Sequence, residues 1–384
     1  MPNPPLSGIR VLELGQLIAA PVATRILADF GADVVKVEPP GSGDPLRSWG
    51  RGDQLWWRYQ SRGKRLVTAD LRQEAGRDLV RRLIAHCDVL VENFRTGRLA
   101  DWGLGDDELR VLRPDLVIAH ISGYGQTGPY RDRPGFGNIA ESMGGLRYIT
   151  GEPDGPPMRV GISLGDEVAA LHAVIGVLLG LRARPETVDV ALTESVFSLL
   201  ENTLAEWRHL GVVRERTGNV LLNAAPSGVY EAADHRWLAI GGNGDSIFRR
   251  LCHAIGRTDL AEDPSLADNR GRMARVDELN QVLAGWVGAH TVDEAMAVLE
   301  AAEVPAGPVS SIADIDSDPQ LRARDMIMAV EGYAMPGIVP RLAEHPGHVG
   351  WAGGEVGAHN AEIYGQLLGL GRDELAALAA KGVI

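Results

Sequence analysis

The chain has 384 residues, 45% of them hydrophobic and 23% charged, enough for two domains around a sizeable core. A net charge of −13 argues against a nucleic-acid or membrane protein, and an anionic ligand would need a local basic patch. Cys87 and Cys252 stand far apart, without metal-type spacing, and the opening MPNPPLSG has neither a basic nor an apolar signal segment; a cytoplasmic protein without metal or disulfides is expected.

Residues 1–125 alternate between strand and helix signals. Strands are expected at 8–15, 33–39, 65–71, 88–94 and 116–125, with helices at 21–31 and 73–87. This alternation predicts an α/β fold with a doubly wound, Rossmann-like, mostly parallel sheet. The first strand-to-helix turn, Gly15 to Pro21, holds one glycine where a dinucleotide fingerprint needs three, so NAD is not expected. Gly63-Lys64-Arg65 lacks the other parts of a P-loop. The run WWRYQSRGKR (56–65) interleaves Arg58, Arg62, Lys64 and Arg65 with Trp56, Trp57 and Tyr59. It reads either as a place for a phosphate-bearing ligand with a flat ring or as a solvated charged loop. The glycine- and proline-rich 120–137 stretch is a long loop of the kind that often carries function.

In 155–182 a turn-rich run leads to Gly165-Asp166 and then to an apolar segment, 168–181, whose only ionisable side chain is His172. That segment predicts a buried core helix too short to span a bilayer, with His172 either a satisfied core histidine or a general base. Asp166 at its start is either an N-cap or an ionised nucleophile. Glu141 reads as a core-edge carboxylate, or as an assistant at the reacting centre. Residues 1–207, completed by 330–384, form the expected large domain; 208–227 is a linker and 228–329 a smaller α+β domain. The small domain should contain a hairpin (228–242), helices at 247–256, 274–290 and 291–303, and a strand at 304–309. Two last helices, 357–369 and 372–381, should return and close the first sheet.

Five runs together, LELGQLIAAPVATRILADFGADVVKVEPPGSGD (12–44), VENFRTGRLADWGL (91–104), SGYGQTGPY (122–130), GFGNIAESMGGLRYITGEPDGPPMRVGISLGD (135–166) and VPAGPVSSIADIDSDPQ (304–320), resemble the class III CoA-transferase (CaiB/BaiF) family, which includes formyl-CoA and carnitine CoA-transferases. The resemblance implies a catalytic aspartate at Asp166 and coenzyme A as co-substrate. It implies CoA contacts at Gln16 and Leu17, along Ala69, Asp70, Leu71 and Arg72, at Asn93, Phe94 and Arg95, and around Gly135, Phe136, Gly137 and Asn138. It also implies an intertwined homodimer. Three departures stand out. Gly137 replaces the family's usual Asp. Pro40 and Asp101 stand where formyl-CoA transferase has Arg, leaving Arg95, Arg98 or Lys64 for the phosphates. A Gly-rich run is shortened to Arg184-Pro185-Glu186.

The implied reaction moves CoA from an acyl-CoA to a free carboxylate through an aspartyl-CoA thioester. Gly241-Gly242-Asn243-Gly244 is the candidate oxyanion loop, or else a plain turn. The stretch 139–161 looks most like transferases that pair succinyl-CoA with a short dicarboxylate, whose distal carboxylate Arg147, Arg159 or an arginine of the small domain would meet. The rival readings are an α-methylacyl-CoA racemase, which needs an imidazole where Phe136 or Gly137 stands, and an idle CoA-binding protein.

Overall fold

A computed structural model describes residues 4–384. The chain forms two compact units: one comprises the chain up to Leu146, Val160–Val212 and Ala323–Ile384, the other Arg147–Arg159 and Val213–Arg322.

The first unit holds six strands: β1 (Arg10–Glu13), β2 (Asp33–Glu38), β3 (Lys64–Thr68), β4 (Val89–Glu92), β5 (Val117–Ser122) and β6 (Glu186–Ala191). They lie in the order β3-β2-β1-β4-β5-β6 with every neighbouring pair parallel. Its helices include α1 (Ala19–Asp29), α2 (Leu55–Gln60), α3 (Glu74–Ile84), α4 (Arg98–Asp101), α5 (Asp106–Leu112), α6 (Gly137–Met143) and α7 (Leu164–Ala183). Successive strand residues point to opposite faces. Val11, Val34, Val89 and Val117 therefore pack with α1 and α7, while Leu12, Val35, Leu90 and Ile118 pack with α3 and α5. Both faces are apolar, so the strands read as near-continuous hydrophobic runs and the sheet is doubly wound. The order reverses between β1 and β4, which puts the ligand crevice beyond their carboxyl ends.

The C-terminal segment belongs to this unit and packs against its sheet. Residues Ala361–Leu367 form a π-helical turn and Arg372–Ala380 a helix, both on the α3 face. The Tyr364 hydroxyl fastens the segment by donating to the Thr68 carbonyl at 2.8 Å.

The basic run 56–65 is neither a ligand patch nor a solvated loop. Arg62 is fully buried and donates twice to Asp29, at 2.9 and 2.7 Å. Lys64 is fully buried against Glu13 at 2.8 Å. Arg58 pairs with Glu355, and Arg65 with Asp33 and Glu362. Charges this regular in sequence are spent on internal pairing.

Helix α7 also differs from expectation. It runs for 20 residues, and by length and composition alone it is long enough to cross a membrane. Val168, Ala169, Ala170, Ala173 and Val177 are buried, and the helix packs on α1, β5 and β6. Its outer side leaves Leu171, Ile175, Leu178 and Leu179 exposed in the single chain, so it is not a wholly buried core helix.

The second unit contains a three-stranded antiparallel sheet, β7 (Ser227–Glu231), β8 (Trp237–Gly241) and β9 (Ala306–Pro308), in that order. The β7–β8 hairpin turns through Ala233–Arg236, with His235 at φ +62°. Tyr230, Leu238, Ile240, Leu283, Val287 and Leu299 form its core with the surrounding helices.

Asp29→Ala leaves the Arg62 guanidinium buried without its carboxylate and is expected to lower stability by ~3–5 kcal/mol. Denaturant unfolding of the two proteins checks this.

Candidate active site

Asp166 is the third residue of α7 and not its cap: Ser163 precedes the helix, without a side-chain capping bond. In the first turn the carboxylate meets the positive end of the helix dipole, which favours its ionised form. It is half-buried.

Glycines let backbone close around it. A Cβ built on Gly137 would lie 2.0 Å from Asp166 Oδ2 and 2.7 Å from its Cγ. A Cβ on Gly165 would lie 2.9 Å from the Gly137 carbonyl oxygen. The first turns of α6 and α7 thus touch at a pair of glycines, and the carboxylate occupies the space of the missing side chain at 137. Gly123 and Gly135 meet in the same way, each Cβ falling 2.8 Å from the other's Cα. This folds the 120–137 loop back on itself. Buried Glu141 accepts the Gly165 N–H at 3.3 Å, so it holds the start of α7 from α6. His172 is half-buried six residues further along the helix.

Beyond β1 and β4, Asn93 clamps Gln16: its Oδ1 accepts the Gln16 N–H at 2.8 Å and its Nδ2 donates to the Gln16 carbonyl at 2.9 Å. The expected contacts Gln16, Leu17, Asn93 and Phe94 are therefore drawn together at the reversal of strand order. Ala69 is buried and Leu71 packs into the core. Arg72 is exposed and paired with its neighbour Asp70, at 2.8 and 3.0 Å. Phe136 and Asn138 are exposed beside Gly137.

Arg95 and Arg98 line a cavity of about 230 Å³ together with Gln126, Thr187, Glu92, Asp106 and His120. Arg95 donates to the Asp132 carbonyl at 2.8 Å, while Arg98 lies over the Trp102 ring, 3.9 Å from Asp101. Lys64, the third phosphate candidate, is excluded by its burial against Glu13.

His120 sits between Glu92 Oε1 at 2.6 Å and Asp106 Oδ1 at 3.0 Å. Burial pulls the imidazole pKa down, but the hydrogen bonds and charges of Asp106 and Glu92 outweigh it and raise the value to about 10. Glu92 Oε2 in turn accepts the Phe94 N–H at 2.6 Å, which ties this ion triad to the β4 turn. No motif pointed to it; a histidine inside the apolar run LVIAHIS is the signal that was there to read.

The oxyanion expectation is corrected at two of its four positions. The N–H groups of Gly241 and Gly242 donate to the carbonyls of Pro305 and Pro226, each at 2.9 Å, so neither is available to a ligand. A Cβ at Gly242 would lie 2.5 Å from Leu251 Cδ2, so that side chain would have to shift. The Asn243 carbonyl accepts from Arg272, and Gly244 precedes the helix Asp245–Ala254.

The model of CoA-transferase family III matches residues 6–360. The chain belongs to that family. It is 47% identical to the succinyl-CoA–D-citramalate CoA-transferase of Chloroflexus aurantiacus, covering 100% of this chain and 99% of that one. It is 36% identical to the succinate–glutarate CoA-transferase of Agrobacterium fabrum, over 96% and 97%. A crystal structure of a CaiB/BaiF family protein from Brucella suis superposes with a TM-score of 0.85 at 33% identity, covering 95% of this chain and all of that one. As a family III CoA-transferase the chain is an enzyme that uses coenzyme A as co-substrate, and the six-stranded parallel α/β fold is the one its structural relatives share.

Gly137→Ala forces the Asp166 carboxylate aside and is expected to cut transferase turnover by about 10²-fold, the cost of ångström-scale misplacement, in steady-state assays. His120 should remain doubly protonated at about pH 8.5, well above the ordinary histidine value, when its ring is followed by NMR. Because its folded value is raised, the triad's stabilisation is complete below about pH 6.5 and is lost as pH climbs through about 10.

Proposed function

We propose that this enzyme moves CoA from succinyl-CoA to a short dicarboxylate of the citramalate type through an aspartyl-CoA thioester on Asp166. The observation that carries the substrate reading is the full-length, 47% likeness to the D-citramalate transferase; relatives named for L-malate and glutarate point to the same class. The position of Asp166, half-buried at a helix N-terminus with backbone against its carboxylate, supports the chemistry.

In this scheme the Asp166 carboxylate attacks the succinyl thioester carbonyl, and CoA leaves as the thiolate. A thiolate is a fair leaving group, since thiols ionise near pH ~8.5. The product is a mixed succinyl-aspartyl anhydride. The thiolate then attacks the aspartyl carbonyl, releasing succinate and leaving CoA on Asp166 as a thioester. The acceptor carboxylate attacks this thioester, giving a second anhydride and freeing the thiolate again. Attack of the thiolate on the acceptor's acyl carbon forms the new acyl-CoA and restores the aspartate. One activated bond is exchanged for another at each stage, so no other energy source is consumed. Water must stay out, because it would hydrolyse either anhydride.

The working form is proposed to be a homodimer. The exposed apolar side of α7 carries Leu171, Ile175, Leu178 and Leu179, and the helices that follow β6 leave Phe197, Leu204, Trp207 and Leu210 exposed as well. So much uncovered apolar surface calls for a protein partner, and a second copy is the reading the family resemblance supports.

Asp166→Asn and Asp166→Ala should each lower exchange by at least ~10³-fold, and wild-type protein quenched with succinyl-CoA should carry CoA on the Asp166 peptide by mass spectrometry. An unmodified peptide in wild type, or full exchange in either variant, removes the aspartyl mechanism. Light scattering of the purified enzyme should give twice the chain mass.

A further inference from the structure

We propose that Asp44 is a positioning residue for the substrate: it locks the β1–α1 turn so that ligands meet side chains of Gln16 and Leu17 and not the turn's backbone N–H groups. The inference rests on the reading that acyl-CoA binds in the crevice beyond β1 and β4.

Four consecutive backbone groups of the turn are already committed. The Gly15 carbonyl accepts Lys36 Nζ at 2.8 Å. The Gln16 N–H and carbonyl are both taken by the Asn93 amide. The Leu17 N–H points between the two Asp44 oxygens, at 3.1 and 3.2 Å. A phosphate cradle needs convergent, uncommitted N–H groups, and the N–H groups of Gln16 and Leu17 are both spent. Leu17 sits at φ +62°, in the left-handed region that a leucine rarely adopts. Such a conformation persists only where its surroundings over-determine it.

Asp44 is built for this task. It is 1% exposed, so it offers a ligand no surface. Its Oδ2 pairs with buried Lys36 at 2.8 Å, and its Oδ1 accepts the Leu46 N–H at 2.9 Å. Its own N–H donates to Glu38 Oε1 at 2.8 Å, and Arg47 holds that carboxylate by two further bonds. Asp44 therefore acts on a ligand only through Leu17.

Isothermal titration with CoA itself separates this claim from the transfer chemistry. Asp44→Ala should weaken CoA binding by about tenfold or more while the KM of the carboxylate acceptor stays unchanged. Asp44→Asn keeps an acceptor for the Leu17 N–H, and should fold and bind CoA within about threefold of wild type. A folded Asp44→Ala with wild-type affinity and only a lower Tm overturns the inference. So does Asp44→Asn as weak as Asp44→Ala. Wild-type protein that does not bind CoA would instead remove the crevice reading beneath it.

Discussion

Lys36 lies in the middle of β2, with no exposed surface, and its charge is tolerable only because Glu13, Asp44 and the Gly15 carbonyl surround it. Glu13 in turn is shared with Lys64, which also donates to the Pro21 carbonyl. Burial, together with the like charge of Lys36, brings the Lys64 pKa down to about 8, while Lys36, with two carboxylates close by, is pushed the other way. One cluster thereby joins three strands, the start of α1 and the β1–α1 turn. The contacts expected to meet CoA at Gln16 and Leu17 inherit their geometry from it.

A second constraint operates at Asp166. There the determining feature is the absence of side chains: Gly137 and Gly165 let two helix starts approach until backbone and carboxylate touch. Glu141, buried between them, satisfies a helix N–H that would otherwise be orphaned at that end. A carboxylate held this way has few conformations to lose, which is the kind of preorganisation that the proposed aspartyl chemistry would reward.

The alternation of strands and helices was legible because both faces of the sheet are covered, so each strand is a continuous apolar run. Asp166 was visible as an acid before a long apolar segment, although its place inside the helix was not, since capping and first-turn positions share the same residue preferences. The basic run 56–65 misled for a physical reason. Charge spacing says nothing about burial, and Asp29, Asp33, Glu13, Glu355 and Glu362, which neutralise it, come from distant parts of the chain. The charges that matter most, Glu13 in RVLELG and Lys36 in DVVKVEP, break an apolar pattern. That irregularity was the available sign of a buried network. The spent N–H groups of Gly241 and Gly242 were beyond reach, because strand partners are set by tertiary pairing.

The glycine at 137 also bears on how such enzymes diverge. A chain in which the Asp166 carboxylate fills the volume of an absent β-carbon cannot acquire a side chain at 137 by a single step without displacing that carboxylate. A chain with aspartate at 137 would have to hold the residue at 166 in another rotamer or with another helix spacing. Positions 137 and 166 should accordingly drift as a couple, and a chimera that borrows α6 from one lineage and α7 from another inherits a mismatch that neither parent contains.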